Sequence, residues 1–330
     1  MDNNHLLQVK DLKMYYVVEN GFVKAVDDVS FYLDAGETLG VVGESGCGKT
    51  SLGLTLLRVL PTNGRIMGGQ ILYRGTDVIA LNNEEFNKIR WTNISMIFQA
   101  AMNSLDPVYK VGDQLIEVLK VHDKDILKED AERRIKEVFE IVELSPSHMN
   151  SYPHELSGGM KQRAIIAMSL LFNPKIVIAD EATTALDVVV QDQILQKIRE
   201  IQQDFKLSVI LITHNVSVIA ENSDRVAVMY GGNIVESGKT VEVLEDARHP
   251  YAFALFRSVA NVRGPVTKLY SLEGTTPNLL NPPSGCRFEQ RCPLRRKICK
   301  EQTPNDTRDT YGHWHKCHFL FNRSDFSCDA

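Results

Sequence analysis

One glycine-rich segment has the residue types and the spacing of a phosphate-binding loop. It reads Gly43-Glu44-Ser45-Gly46-Cys47-Gly48-Lys49-Thr50 and satisfies the pattern G-x-x-x-x-G-K-[ST]. Its glycines let successive backbone N–H groups face phosphate oxygens, and the helix that follows adds its positive dipole end. We expect Lys49 to reach the β- and γ-phosphates and the Thr50 hydroxyl to ligate Mg²⁺. The predicted nucleotide-binding residues here are Gly43, Ser45, Gly46, Cys47, Gly48, Lys49, Thr50 and Ser51.

Two carboxylates end an apolar run further along the chain. Residues Ile176–Ala179 are apolar, and Asp180 and Glu181 follow them directly. We expect Asp180 to hold Mg²⁺ through water and Glu181 to orient or deprotonate an attacking water. Acids at the end of a strand are weak evidence alone. Downstream of a phosphate loop, they predict a site that hydrolyses a nucleotide.

A second anion-binding segment precedes this strand. Leu156-Ser157-Gly158-Gly159-Met160-Lys161-Gln162 places a serine and two glycines at the start of a predicted helix. The alternative is an ordinary capped helix. The segment resembles the signature motif of ABC ATPases, in the form LSGGMKQR. That resemblance implies a head-to-tail dimer in which Ser157, Gly158 and Gly159 of each subunit cap the ATP bound by the other.

Further motifs of that family match in order. Gln99, after the predicted strand Ile94–Phe98, matches the Q-loop glutamine that senses Mg²⁺ and the attacking water. Thr184-Ala185-Leu186-Asp187 matches the D-loop, and His214 matches the switch histidine that contacts the γ-phosphate. The resemblance covers roughly residues 5–260. It implies Mg-ATP as cofactor, with Thr50, Gln99 and Asp180 as the Mg²⁺ residues and Glu181, His214 and Gln99 as the catalytic residues.

An aromatic residue near the N-terminus completes the predicted nucleotide site. Tyr16 matches the family's aromatic side chain that stacks on adenine, and Tyr15 is the alternative register. An aromatic side chain at this place is also compatible with a core position.

The elements that must position these residues alternate between strands and helices, which predicts an α/β fold with a largely parallel sheet. The resemblance specifies a P-loop ABC ATPase domain at 1–260, with a RecA-like core, an antiparallel β subdomain and an α-helical subdomain at about 100–172. A small Cys-rich extension at 261–330 follows. The predicted strands are Leu7–Val9, Val26–Leu33, Thr38–Val42, Gly68–Tyr73, Ile94–Phe98, Ile176–Ala179, Val209–Thr213, Val226–Tyr230 and Ile234–Ser237, and the predicted helices are Thr50–Leu60, Lys128–Val142, Ser157–Phe172, Val189–Phe205 and Val216–Glu221.

Composition places the chain among globular proteins. Its 330 residues carry a net charge of -5 with no acidic or basic tail, so charge gives no reason to expect a nucleic-acid partner. No apolar run approaches the roughly 18–20 residues that cross a bilayer, and the polar start shows no secretory signal. We therefore expect any membrane role to involve docking from the cytosol.

Five of the six cysteines lie within the last 45 residues. A cytosolic chain does not normally keep disulfides, so this grouping favours a metal site. The spacings lack the C-x2-4-C pairs of structural zinc sites, and Pro293 beside Cys292 is typical of ferredoxin-type sites. A [4Fe–4S] cluster is the prediction, with Zn²⁺ and free thiols as alternatives, and Cys328 is expected to be spare. The predicted ligands are Cys286, Cys292, Cys299 and Cys317, with Arg287, Arg291, Arg295, Arg296 and Lys297 expected to offset the cluster charge.

Several segments resemble the oligopeptide/dipeptide/nickel importer subfamily. They are Met102–Pro107, Val111–Gln114, His249-Pro250-Tyr251 and the four-cysteine set. The resemblance implies ATP-driven import of di- or oligopeptides, with nickel or oligosaccharides as alternative cargo. It also implies two transmembrane permease subunits, a second ABC ATPase subunit (a paralogue, or a copy of this chain), an indirect solute-binding protein outside the membrane, and a peripheral location at the cytoplasmic face.

Two other classes of function compete with this interpretation. ABC proteins of repair or translation usually carry coiled-coil insertions or tandem cassettes, and this sequence shows neither. A regulatory nucleotide-binding protein would not need the predicted catalytic residues Glu181 and His214.

Overall fold

The computed structural model describes residues 5–99, 104–182, 187–258, 273–310 and 312–320. The chain divides into two compact units. Unit 1 consists of Met1–Ile79 and Leu211–Ala330, and unit 2 consists of Ala80–Ile210. The predicted boundary near residue 260 lies outside the described residues, and the predicted limits 1–260, 100–172 and 261–330 stay predictions.

The first segment of unit 1 forms a four-stranded antiparallel sheet in the order β2-β1-β4-β5. A tight turn at Glu19 and Asn20 joins the first two strands. A bulge shifts the register after Val9, so burial changes from Leu7 and Val9 to Leu12 and Met14. This change of phase explains why the sequence pattern predicts only the first three residues of β1. The elements are β1 (Leu7–Val18), β2 (Gly21–Leu33), β3 (Thr38–Val42), α1 (Lys49–Leu56), β4 (Gly64–Tyr73) and β5 (Thr76–Asp77).

Unit 2 combines a parallel strand pair with a group of helices. Strands β6 and β7 pair in parallel, from Ile94 opposite Ile176 to Ile97 opposite Ala179. Helix α4 buries Ala131, Ile135, Val138 and Phe139. The sequence predicts a helix at Lys128–Val142, one residue longer than observed. Helix α3 (Val111–His122) was not among the helices that the sequence pattern predicts. The elements are α2 (Asn83–Asn87), β6 (Ile94–Ile97), α3 (Val111–His122), α4 (Lys128–Ile141), α5 (Gly158–Leu170), β7 (Ile176–Asp180) and α6 (Val188–Phe205).

The second segment of unit 1 builds a mixed sheet. Its strands follow the order β11-β12-β10-β9-β3, and β3 and β9 are parallel. The predicted strands Val226–Tyr230 and Ile234–Ser237 pair as a hairpin across Gly231-Gly232, and both glycines have positive φ, at 55° and 85°. The strand β8 (Ser208–Thr213) begins in unit 2 and ends in unit 1. The further elements are α7 (Val216–Asn222), β9 (Arg225–Tyr230), β10 (Asn233–Lys239), α8 (Thr240–Glu245), α9 (Pro250–Arg257), α10 (Lys297–Glu301), β11 (Asp306–Arg308) and β12 (Trp314–Lys316).

The described C-terminal segments join this sheet. Strand β12 pairs antiparallel with β10, with His315 opposite Glu236 and Trp314 opposite Ser237. Strand β11 then pairs with β12 at the edge. The sequence did not predict these strands, because each has three residues and too short a pattern to show a period.

The helix after the phosphate loop is shorter than predicted. The sequence predicts Thr50–Leu60, whereas α1 runs Lys49–Leu56. Arg58 has a left-handed backbone with φ of 52°, a conformation that ends helices, so the chain turns before Pro61. Among the described residues, no helix combines the length and the apolar character needed to cross a bilayer.

The observed architecture is that of the predicted fold class. The α/β fold contains an antiparallel β sheet, a parallel strand pair and a helical region. The prediction of an α/β fold is therefore confirmed.

Candidate nucleotide-binding and hydrolysis site

The predicted phosphate loop connects a buried strand to a helix start. All five residues of β3 are buried, and α1 begins at Lys49 directly after Gly48. No side chain caps this helix, and the first N–H groups of an α-helix have no acceptor within the helix. Ser45 and Gly46 at the loop tip are exposed. The loop therefore presents backbone donors and a helix dipole to an anion.

Two glycines of the loop have no room for a side chain. Gly48 has φ of 106°, and a Cβ placed there would lie 2.0 Å from the carbonyl oxygen of Ala25. A Cβ on Gly43 would lie 2.1 Å from the carbonyl oxygen of Met229. Both close approaches involve backbone atoms, which cannot move aside as a side-chain end can. The loop conformation thus requires glycine at both positions.

Lys49 lies buried against its own loop. Its Nζ donates to the carbonyl oxygens of Gly43, at 2.8 Å, and of Glu44, at 3.0 Å. The neighbouring Cys47 is also buried, and burial raises the pKa of its thiol. Cys47 is therefore a small neutral side chain in this loop. Thr50 and Ser51 follow in the first turn of α1.

The predicted adenine-stacking residue contacts the same helix. The hydroxyl of Tyr16 is hydrogen-bonded to Oγ of Ser51 at 2.9 Å. The alternative candidate, Tyr15, instead donates its hydroxyl to Oδ1 of Asp27 at 2.5 Å. Only Tyr16 is thus tied to the nucleotide-loop helix, and its stacking role stays a prediction.

In unit 2, the predicted catalytic glutamate is bonded to the predicted Q-loop glutamine. Nε2 of Gln99 donates to Oε2 of Glu181 at 2.9 Å. The parallel register explains the meeting, because Ile97 and Ala179 are paired and each side chain lies two residues beyond. Asp180 at the end of β7 is buried. Glu181 has φ of 45°, an uncommon value for a residue other than glycine, and such strain often occurs at functional sites.

The predicted signature segment starts α5. Oγ of Ser157 accepts a hydrogen bond from the Met160 backbone N–H at 3.3 Å, so the serine acts as a helix cap. Ser157 and Gly158 are exposed, while a Cβ on Gly159 would come within 3.0 Å of Val190. The segment is therefore a capped helix start that is open to solvent.

Of the remaining predicted site residues, some are described by the structure and others are not. His214 follows β8 in unit 1 and is exposed. Asp187 caps α6 by accepting from the Val190 N–H at 3.0 Å. Thr184, Ala185 and Leu186 of the predicted D-loop lie outside the described residues, as do Met102, Asn103 and Cys328 of the other predicted motifs.

The four predicted cysteine ligands line one cavity of about 30 Å³ in unit 1. Burial raises the pKa of Cys286 to about 11 and that of Cys292 to about 12, so the thiols are neutral. Backbone hydrogen bonds from Phe288 to Cys286 and from Leu294 to Cys292 act in the opposite direction. Within the described residues, no group of three or more His, Cys, Asp or Glu side chains is arranged to hold a metal ion.

Two arginines that were expected to offset cluster charge instead bind acidic residues elsewhere in unit 1. Arg291 bonds both carboxylate oxygens of Glu44 in the phosphate loop, at 2.9 and 3.1 Å. Arg287 forms an ion pair with Asp27. Their partners are more than 240 residues away in sequence, so no local pattern shows these contacts. The expected role in offsetting cluster charge stays a prediction.

The loop, its helix and the acid-terminated strand define a P-loop nucleotide-binding protein. A model of the ABC transporter family matches residues 26–184, and a model of the oligopeptide/dipeptide transporter C-terminal region matches residues 235–299. The chain belongs to the ABC transporter family, in the group that carries this C-terminal region, and it is an ATPase of that family.

Three named relatives align with nearly the whole chain. A dipeptide transport ATP-binding protein of Caldanaerobacter subterraneus subsp. tengcongensis is 40% identical over 300 residues, covering 91% of this chain and 92% of that protein. An oligopeptide transport ATP-binding protein of Salmonella typhimurium is 44% identical, with coverage of 91% and 90%. One of Bacillus subtilis is 45% identical, with coverage of 91% and 84%.

Solved structures share the fold. A dimeric ATP-binding cassette in a post-hydrolysis state bound to ADP and Pi has a TM-score of 0.63 at 24% identity, covering 71% of this chain and 98% of that one. An ABC transporter component of Clostridium perfringens has a TM-score of 0.64 at 22% identity, with coverage of 74% and 92%. These similarities show that this part of the chain has the fold of ABC ATPase cassettes, as predicted.

Proposed function

We infer that this chain hydrolyses Mg-ATP to energise the import of dipeptides or oligopeptides through a membrane ABC transporter. The observation that carries this proposal is the C-terminal region at 235–299, since it matches a region described from peptide transporters. The relatives named for peptide transport, at 40–45% identity, support the same cargo class. Nickel and oligosaccharides are the alternative cargo.

In this proposal each predicted residue has one task in ATP binding or hydrolysis. Lys49 and the loop N–H groups bind the phosphates, and Thr50, Gln99 and Asp180 hold Mg²⁺. Glu181 orients or deprotonates the attacking water, and His214 contacts the γ-phosphate. Tyr16 stacks on adenine. The exposed start of α5 supports a role in trans, in which Ser157, Gly158 and Gly159 cap the nucleotide of a second subunit.

This arrangement requires partner proteins. The second ATPase subunit is a paralogue in our proposal, with a copy of this chain as the alternative. Two permease subunits provide the membrane path, and a solute-binding protein outside the membrane delivers cargo to them. The chain then acts as a peripheral protein at the cytoplasmic face of the membrane, without a nucleic-acid partner.

Purification from membranes tests the assembly. The tagged chain, extracted from its host in mild detergent, should co-purify with two multi-span proteins and one further ABC ATPase. The complex should hydrolyse ATP faster when its solute-binding protein is added with a dipeptide or pentapeptide. Stimulation by nickel chloride or an oligosaccharide, but not by peptides, would contradict the peptide assignment. Recovery with ribosomes or DNA and without permeases would contradict the transport assignment.

The cysteine cavity is proposed to hold a [4Fe–4S] cluster. Four thiols face one cavity, which is the donor set that iron–sulfur clusters use, and backbone hydrogen bonds to Cys286 and Cys292 support thiolate ligands. Bound metal would deprotonate the thiols, although burial raises the pKa of Cys286, Cys292 and Cys317. We expect such a group to be structural, because this part of the chain is too small to build its own core.

Anaerobic purification tests the cluster. The protein should be brown, absorb broadly near about 400 nm, and contain iron and sulfide. Replacement of Cys286, Cys292, Cys299 or Cys317 by Ser should remove the colour, whereas Cys328→Ser and Cys47→Ser should leave it. Stoichiometric zinc without iron would contradict the cluster and indicate a four-thiolate zinc site. Protein without any bound metal would indicate free thiols.

A further inference from the structure

Arg291 of the C-terminal region forms a bidentate ion pair with Glu44, the second residue of the phosphate loop. Nη1 and Nη2 of Arg291 donate to the two carboxylate oxygens of Glu44 at 2.9 and 3.1 Å. The Arg291 side chain is 6% exposed and that of Glu44 is 27% exposed. Arg291 also donates to the Glu273 carbonyl oxygen and the Tyr230 hydroxyl, so its orientation is fixed on several sides.

The backbone of the same residue is bound by a second side chain. The Glu44 N–H donates to the hydroxyl of Tyr251 at 3.0 Å, and Tyr251 is fully buried. His249 accepts from the Tyr251 N–H at 3.1 Å. Burial lowers the pKa of His249 to about 3, so its ring is neutral and can accept this bond. Glu44 is thus fixed by its side chain and by its backbone.

A third contact is indirect and involves Cys47, in the middle of the loop. Arg287 donates to the carbonyl oxygen of Gly231 and pairs with Asp27. The adjoining Gly232 N–H donates to the carbonyl oxygen of Cys47 at 2.9 Å, and the Asp27 N–H donates to the carbonyl oxygen of Gly232 at 2.9 Å. The C-terminal region therefore contacts the loop directly at Glu44 and indirectly, through the Gly231-Gly232 turn, at Cys47.

We propose that Arg291 is a positioning residue for ATP binding that acts through Glu44. The carboxylate of Glu44 belongs to a loop that receives a strongly negative phosphate chain. The guanidinium neutralises this charge and keeps the carboxylate turned away from the loop N–H groups. An unpaired Glu44 would repel the phosphates and compete with them for those donors.

This electrostatic role gives a specific pattern of variants. Arg291→Ala leaves the Glu44 carboxylate unpaired, so the KM for ATP should rise roughly tenfold, equivalent to about 1.4 kcal/mol, with kcat nearly unchanged. Glu44→Gln on the Arg291→Ala background removes the unpaired charge and should restore most of the affinity. Glu44→Gln alone should change the KM by less than about threefold.

The test is a double-mutant cycle on full-length protein. ATPase kinetics and direct ATP binding would be measured for the wild type, both single variants and the double variant, together with the melting temperature of each. Lys297→Ala is the matched control, because Lys297 is a 90% exposed cation of the same region. It should leave both KM and melting temperature unchanged.

The outcomes separate positioning from a general effect on stability. Rescue of the Arg291→Ala KM by Glu44→Gln at unchanged melting temperature supports the proposal. If Arg291→Ala lowers the melting temperature and the active fraction while KM stays at the wild-type value, Arg291 is only a structural residue. Equal losses in the single and double variants would also overturn the proposal. Neither result depends on the cargo, so this test is independent of the transport assignment.

Discussion

The side-chain amide of Gln99 donates a hydrogen bond to the carboxylate of Glu181 at 2.9 Å, across two parallel strands of unit 2. This contact joins the predicted Mg²⁺-sensing residue to the predicted base. The carboxylate oxygen accepts the bond, and the water-activating role requires the same carboxylate to be ionised. A change at Glu181 should therefore affect the chemical step rather than the binding of nucleotide.

Glu181→Gln should lower kcat by roughly 10²–10⁴-fold, the usual contribution of a positioned base. ATP affinity should be retained, because Lys49 and the loop bind the nucleotide, and a closed ATP-bound dimer should accumulate. Single-turnover hydrolysis and size-exclusion chromatography with ATP measure these effects. Glu129→Gln, at an exposed position of α4, serves as control. If Glu181→Gln hydrolyses ATP at nearly the wild-type rate, Glu181 does not activate the attacking water.

Gly48→Ala should abolish measurable ATP binding. The new Cβ would stand 2.0 Å from the Ala25 carbonyl oxygen and adds left-handed strain of about 1–3 kcal/mol. Gly75→Ala is the matched control, because Gly75 also has positive φ, at 81°, but open space around it. It should lose stability only and bind ATP normally. Titration calorimetry compares the two, and equal ATP affinities would show that the loop tolerates the clash.

Ser157→Arg should block hydrolysis without weakening ATP binding to the loop of the same chain. In our proposal the segment serves the nucleotide of the opposite subunit, which an isolated monomer does not need. The loss of the cap should cost about 1 kcal/mol of stability, and Ser145→Arg, another exposed serine at a helix start, controls for this. A sharp fall in the ATP affinity of the monomer would contradict the composite site.

Phe288→Ala should destabilise unit 1 by about 3–5 kcal/mol, the usual cost for a buried phenylalanine. Phe288 is 1% exposed, and its ring lies 5.2 Å from that of Tyr230 and 5.5 Å from that of Tyr251. Phe205→Ala, at a 50% exposed site, should cost much less. Urea unfolding measures both. Equal effects would show that the aromatic group contributes little to holding the C-terminal region.

Much of the catalytic part could be predicted from sequence, because its residues follow strands in short fixed motifs. The phosphate loop between β3 and α1 and the hairpin across Gly231-Gly232 are local features with strong chemical patterns. The meeting of Gln99 and Glu181 required the strand register, which the sequence does not show.

The support of the loop by the C-terminal region was not predictable in the same way. Arg291 and Glu44 are 247 residues apart in sequence. The position of Arg291 next to Cys292 instead suggests that its charge offsets that of a metal cluster. The motif His249-Pro250-Tyr251 resembles the importer subfamily in sequence, but its contact with Glu44 depends on how α9 packs in unit 1. The strands β11 and β12 form through pairing with β10 rather than through their own propensity.

ATP-dependent peptide uptake is the most direct test of the central claim that this ATPase energises peptide import. Host cells that lack the chain would be complemented with the wild type, Glu181→Gln or Glu129→Gln, and given labelled dialanine and a labelled pentapeptide. The account predicts accumulation with the wild type and Glu129→Gln, and loss with Glu181→Gln at equal protein levels. Peptide accumulation that is the same with Glu181→Gln as with the wild type, or absent with both, would contradict it.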